Sequence, residues 1–389
     1  MINIVDKTSC CGCSACASVC PKQCINMEGD NEGFLYPHVD KDTCIDCGLC
    51  EKVCNELNPM APKEPLQVLA AINKNEKIRL KSSSGGIFYV LASKIISEGG
   101  VVFGARFDEN WQVLIDYAED MESVKAFMGS KYVQARIENA YKDVKYFLIK
   151  GRKVLFSGTP CQVAGLHQFL RKQFDNLLTV DFICHGIPSP KVWQMYLDEI
   201  FGCYKRMKSV SFRDKTRGWQ NYHFRIEYDD NENATMLLSP ATQNQYMRAF
   251  LSDLILRPSC SFCVAKSGSS RSDITLADFW GIWNENPQMY DNKGTSMIFI
   301  NTDKGRLVLP SEEIVKYDKS DYSTALKYNR VCKVSVSPNS KRDLFFLKLK
   351  TTESVTQLIE KTLKPPFMQL CIINTKLLIR RLMKLEWGR

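Results

Sequence analysis

Cys10, Cys13, Cys16 and Cys20 are spaced C-x2-C-x2-C-x3-C and followed by Pro21, and Cys44, Cys47, Cys50 and Cys54 repeat the spacing 34 residues later. Three cysteines within seven residues let a tight loop wrap one [4Fe–4S] cubane corner by corner, while the fourth, a helical turn further on, points toward a second cubane. The ligand sets therefore cross over: Cys10, Cys13, Cys16 and Cys54 for cluster one, and Cys44, Cys47, Cys50 and Cys20 for cluster two. Zinc would use four thiolates, usually as two separated C-x2-C pairs, so the third and fourth cysteines of each run would be surplus. Cys11 and Cys24 fall outside the repeat and read as bystander thiols.

This stretch resembles bacterial two-cluster ferredoxins, with Asn55 after Cys54 where a second proline is usual. Gly33–Asp40 reads as a short hairpin strand over the clusters, with His38 in a structural role. Residues 1–58 hold four lysines against nine carboxylates, a charge of −5, which leaves +14 on the rest of a chain whose net charge is +9. That balance suits anionic cofactors or an acidic redox partner protein as well as it suits nucleic acid, and no nucleic acid is expected. The start carries no apolar signal-peptide core, and Lys94, Glu98, Lys376 and Arg380 break the longest apolar runs. A cytoplasmic protein is expected, associated with membranes at most peripherally. There, seventeen cysteines, an odd number, are better used as metal ligands than as disulfides.

Three prolines within Asn58–Pro65 mark a stiff linker at 59–66, which separates an α+β ferredoxin-like domain at 1–58 from a larger α/β domain at 67–338 with parallel strands. Three places there look like chemistry. Ser82-Ser83-Ser84-Gly85-Gly86 precedes a helix striped with Ile87, Leu91 and Ile95, and is either an anion site at a helix start or a serine cap with closely packed glycines. Ser157-Gly158-Thr159-Pro160-Cys161 follows the strand Val154–Phe156, and Cys184-His185-Gly186 follows the strand Thr179–Ile183. Both cysteines thus sit at carboxyl ends of strands, where open α/β sheets bind ligands. With Cys260 and Cys263, another C-x2-C, they make either a full ligand set for a third [4Fe–4S] cluster or two buried thiols beside an unrelated redox or zinc element.

Taken in order, Ser84-Gly85-Gly86, Gly129-Ser130-Lys131-Tyr132, Gly158–Gln162, Cys184-His185-Gly186, Phe212-Arg213-Asp214-Lys215, Cys260-x2-Cys263 and Asp278-Phe279-Trp280-Gly281 resemble the coenzyme F420 hydrogenase/dehydrogenase beta-subunit family over roughly residues 8 to 335. The resemblance implies FAD approached by Ser84, Gly85, Gly86, Lys131 and the turn Gly158, Thr159 and Pro160. It also implies a third cluster on Cys161, Cys184, Cys260 and Cys263. The function it implies is a flavin-dependent iron–sulfur oxidoreductase passing electrons between clusters and an organic substrate or deazaflavin. The alternative is an electron-transfer subunit with no substrate of its own. No side chain need act as a nucleophile, and His185 reads as a hydrogen-bonding neighbour of a ligand. The absence of G-x-G-x-x-G and G-x-x-x-x-G-K-[ST] argues against NAD(P) and against a P-loop. A basic helical tail at 339–389, with eleven Lys and Arg against four acids from 341 onward, is expected to break at Lys364-Pro365-Pro366.

Overall fold

The strands β1 (Ile25–Gly29) and β2 (Leu35–Val39) form an antiparallel hairpin with Ile25 opposite Val39, and short helices at Ala15–Val19 and Leu49–Lys52 follow the two cysteine loops. Each helix opens from a left-handed residue, Ser14 or Gly48, which turns the loop sharply enough to close on itself. This is a computed structural model, and it describes residues 1–202, 207–230 and 233–364.

The larger region is built on an eight-stranded sheet: β3 (Gln67–Asn73), β4 (Val101–Phe107), β5 (Val113–Ala118), β6 (Val154–Ser157), β7 (Leu177–Phe182), β11 (Ile274–Asp278), β12 (Ser296–Ile300) and β13 (Val315–Ser320), in the order β13-β3-β12-β11-β7-β6-β4-β5. Strands β3, β11, β7, β6 and β4 run parallel, as expected, while β5, β12 and β13 oppose them. The sheet is therefore mixed. The β4–β5 link is a tight hairpin in which the Asp108 carboxylate accepts from the Asn110 and Gln112 amides, and a hairpin can only join antiparallel strands. Edge strand β13 exposes charged side chains, which discourages further pairing.

A second, three-stranded antiparallel sheet, β8 (Met207–Asp214), β9 (His223–Asp230) and β10 (Asn233–Pro240), was not foreseen from the parallel pattern. Its Phe212, Phe224 and Ile226 pack with Trp193, Tyr196 and Tyr246 into the largest aromatic core.

The ferredoxin-like region is fused to this body. Phe34 is fully buried in that same aromatic core, Glu32 pairs with Arg342, and the linker bonds onto the sheet through Leu66 N to Ile300 O at 2.7 Å. Helices Arg342–Leu349 and Val355–Leu363 bury Phe345, Phe346, Leu349 and Ile359, and the second lies against helices Pro190–Phe201 and Gln245–Leu251. The expected break at Pro365 and the remaining tail, 365–389, lie outside the described residues. Among the described residues no helix is long and apolar enough to cross a membrane.

Candidate functional site

The parallel strands all end at one edge, and the loops leaving it carry the cysteines of the larger region. Cys161 enters at the first turn of the helix Pro160–Leu170, which starts where it does because Pro160 cannot donate and Thr159 and Gln162 cap each other, with Thr159 N donating to Gln162 Oε1 at 3.0 Å. Cys184 follows β7, while Cys260 and Cys263 frame the 3-10 turn Pro258–Phe262. All four line a single cavity of about 70 Å³, together with Cys11 and Glu56 from the ferredoxin-like region. Burial raises Cys184 well above the ordinary thiol range, Cys260 to about 12 and Cys263 to about 11, and each of these thiols is raised further by its neighbours in the set. Cys161 is raised first by its hydrogen bond with Cys11 and then by burial. Such thiols stay protonated unless a metal centre takes the proton's place. The Lys266 ammonium stands beside them, donating to Cys184 O at 2.9 Å, and Ile187 N donates to Cys260 Sγ at 3.2 Å.

In the ferredoxin-like region, Cys20, Cys44, Cys47 and Cys50 line a second cavity. Burial pushes Cys16 up to about 12, and the next forces on it come from Cys10 and Cys54; Cys13 in turn feels Cys16. Amides reach the sulfurs, from Ile2 N to Cys50 Sγ at 3.3 Å and from Asp46 N to Cys44 Sγ at 3.4 Å. The two supposed bystanders lie against these sets: Cys24 Sγ is 3.4 Å from Cys20 Sγ, and Cys11 hydrogen-bonds both Cys13 and Cys161. Among the described residues no three Cys, His or carboxylate side chains are gathered closely enough to hold a single metal ion.

Of the residues expected near FAD, Pro160 lines the cysteine cavity. The others are bonded within the protein. Ser84 Oγ donates to Thr295 O and Gly85 N to Ser296 Oγ, both at 2.9 Å, and a Cβ on Gly85 would fall 2.5 Å from Ala71 O, so only glycine fits. Gly86 caps the helix Ile87–Ser97 in the left-handed conformation, and Ser83 joins this turn to Ser130 at 2.9 Å. Lys131 Nζ, lowered to about 7 by burial, donates to Ala126 O and Met128 O. Gly158 N donates to Val180 O, and Thr159 Oγ1 lies 3.1 Å from Cys161 Sγ.

Several residues the sequence reading gave no role stand close by. Lys215 Nζ donates to the carbonyls of Arg79, Ser84 and Lys293 at 2.7, 2.8 and 2.7 Å, fixing the Ser84 turn from behind. Arg213 forms a buried pair with Asp278, is roofed by Tyr222 and Trp280, and leaves its Nε without a partner. Asp181, on the cysteine cavity wall, accepts from Ser270, Ser272 and Thr275, and burial raises its carboxyl to about 6. His185, which the sequence reading made a hydrogen-bonding neighbour of a ligand, shares a 2.6 Å hydrogen bond with Asp253 and stands edge-on to Phe250. The R-D-K and D-F-W-G strings were visible, but only the fold shows that Arg213 meets Asp278.

Comparison with known proteins is consistent with this geometry. Residues 151–318 match the C terminus of the coenzyme F420 hydrogenase/dehydrogenase beta subunit, and residues 9–56 match the 4Fe-4S dicluster domain. No curated protein matches the chain. Among solved structures, a chain from the xenon-derivatized F420-reducing [NiFe] hydrogenase complex of Methanosarcina barkeri aligns over 77% of this chain and 92% of its own, at 18% identity and a TM-score of 0.47. Residues 151–318 are thus similar to the C-terminal region of the coenzyme F420 hydrogenase/dehydrogenase beta subunit, and residues 9–56 to a 4Fe-4S dicluster domain.

Proposed function

We propose that the chain is a flavin-dependent iron–sulfur oxidoreductase that passes electrons between three [4Fe–4S] clusters and an organic substrate or a deazaflavin. The observation that supports this most is the convergence of Cys161, Cys184, Cys260 and Cys263 on one cavity that also receives Cys11 from the dicluster region. The donor set fits a cluster: four half-buried thiols from three loops, a neighbouring ammonium on Lys266 and an amide on a sulfur. In the dicluster region the buried Asn55 amide, next to Cys54, has no partner among the described residues for its nitrogen or its oxygen, as a group poised beside an inorganic centre would.

Bound FAD would supply the conversion between two-electron substrate chemistry and one-electron cluster chemistry. Ser84, Gly85, Gly86, Lys131, Gly158, Thr159 and Pro160 are proposed to hold it, with Lys215 keeping the Ser84 turn in shape. Asp181, raised to about 6, can hold or release a proton at its carboxyl oxygen near neutral pH, and the His185–Asp253 pair can orient a proton at His185 Nε2. A protein electron carrier is the expected partner.

A second reading, an electron-transfer subunit with no substrate of its own, draws support from the fact that the Gly85 amide and Lys131 ammonium already have protein partners. Iron, acid-labile sulfide and flavin per chain, measured on protein purified without oxygen, separate the two. About twelve irons and one FAD are expected; about eight irons with no flavin in a fully reconstituted sample would favour the second reading.

A further inference from the structure

Arg257 is 1% exposed, among the largest fully buried side chains, and lies where the dicluster region meets the larger one. Its Nε donates to Cys10 O at 2.7 Å and its Nη2 to Leu35 O at 2.9 Å, while the guanidinium stacks over Tyr36 at 4.2 Å. Among the described residues Nη1 has no hydrogen-bond partner. The guanidinium packs against Gly12, inside the Cys10–Cys13 loop: a Cβ there would fall 2.9 Å from Arg257 Nη1 and 2.6 Å from Gln134 Nε2.

A fully buried cation costs several kcal/mol unless an anion compensates it. Among the described residues no carboxylate forms an ion pair with Arg257. Its hydrogen bond to Cys10 O and its packing against Gly12 set the guanidinium on the Cys10–Cys13 loop. The missing counter-charge is therefore on the sulfur side.

We propose that Arg257 is the buried counter-cation of the cluster held by Cys10, Cys13, Cys16 and Cys54, and that its charge holds that cluster's reduction potential up against the effect of burial. The role is one of tuning: the guanidinium takes no part in bond making. A thiolate-ligated [4Fe–4S] centre is anionic and gains one more negative charge on reduction, so a nearby fixed cation favours the reduced form and raises the potential. The cavity of cluster two, lined by Cys20, Cys44, Cys47 and Cys50, has Lys22 and Met1 in its wall, but the Met1 ammonium is already paired with the Asp46 and Glu51 carboxylates and is not fully buried as Arg257 is. Arg257 thus acts on one ferredoxin-type cluster and not on both, and it does so at the side facing Cys260 and the third ligand set.

This rests on the dicluster reading, and iron content tests that reading separately. The experiment is an anaerobic EPR-monitored redox titration of the full chain, with iron and sulfide counted in every sample, for wild type, R257Q, R257K and Q134E. Gln134 is buried beside Gly12, and its Oε1 accepts from Leu35 N, a bond that glutamate can keep while adding an opposing charge. In R257Q and in Q134E, one of the two ferredoxin-type midpoints is expected to move negative while the other stays. R257K, which keeps the charge, is expected to remain near wild type. Unmoved midpoints at full iron, an equal shift of both, or an R257K shift as large as that of R257Q would overturn the proposal. So would an R257Q that loses iron alongside a Q134E whose midpoints are those of wild type, since Arg257 would then be structural only. Wild type with well under eight irons would overturn the dicluster reading instead.

Discussion

A Cβ at Gly165 would lie 3.0 Å from both Cβ and Sγ of Cys13 and 2.9 Å from the Tyr141 hydroxyl. Gly165 is the point where the helix Pro160–Leu170, which carries Cys161, meets the loop and helix that carry Cys13, so one small residue sets the approach of two ligand sets.

Gly165→Ala sets two effects against each other. Alanine favours a helix interior by about 1 kcal/mol over glycine. Overpacking a tight contact costs about 1–3 kcal/mol, and here the atoms to be displaced belong to a ligand and a buried tyrosine. The expected outcome is a lower melting temperature and less iron per chain than wild type. Gly29→Ala, whose Cβ meets nothing within 4 Å, is the control and is expected to change neither.

Six thiols, Cys11, Cys161, Cys184, Cys260, Cys263 and Cys332, share the wall of the cysteine cavity, and a cubane takes four. Cys161, Cys184, Cys260 and Cys263 act on one another, whereas Cys11 reaches only Cys161 within that set and otherwise faces Cys13. Alanine at any of the four is expected to remove about four irons per chain and leave about eight. Cys11→Ala is expected to keep the full complement while slowing electron passage between the dicluster region and the third centre. Iron analysis with stopped-flow reduction checks both, and a loss of four irons in Cys11→Ala would mean that Cys11 is a ligand.

The dicluster character of the first region was legible because it depends on cysteine spacing inside two short loops, each leading into a short helix. The helix start at Pro160 and the placement of Cys161 and Cys184 at a carboxyl edge were legible for the same reason, as strand followed by turn followed by helix. The roles of Cys11 and Arg257 were not. Each depends on a contact between segments far apart in sequence, as when Arg257 Nε meets Cys10 O across 247 residues. The insertion of β12 between β3 and β11 was hidden in the same way, since its run of buried residues reads alike in a parallel or an antiparallel setting. The β8–β10 sheet had a local signal that was passed over: in β9, His223, Phe224 and Ile226 are buried while later residues are not, as on a sheet with one face covered.

Lys215 is the next test of how the Ser84–Gly86 turn is held. Methionine at 215 keeps the length and loses three donations to carbonyls, each of which, left unpaired and buried, costs about 1–3 kcal/mol. Removing a buried ammonium, lowered to about 7, recovers part of that. A net loss of a few kcal/mol is expected, focused on the Ser84–Gly86 turn. Under the flavin reading, Lys215→Met should retain iron and lose flavin, measured as the ratio of flavin absorbance after release to iron per chain.

Asp181 makes stability depend on pH with a defined sign. Its folded-state value, raised by burial from 3.8 to about 6, means that the folded protein holds this proton more tightly than the unfolded chain. Its contribution is therefore fully present below pH 3.8 and is lost as pH rises through about 6, a total of roughly 3 kcal/mol at about 1.4 kcal/mol per unit. About half of that falls between pH 5 and 7.5. Asparagine at 181 can still accept from Ser270, Ser272 or Thr275 and carries no charge at any pH. Asp181→Asn should accordingly gain on wild type by about 1–2 kcal/mol as pH rises from 5 to 7.5, read from denaturant midpoints at matched iron content. A difference that is flat across that range would place the proton elsewhere in the cavity wall and remove Asp181 as the group that can donate one near neutral pH.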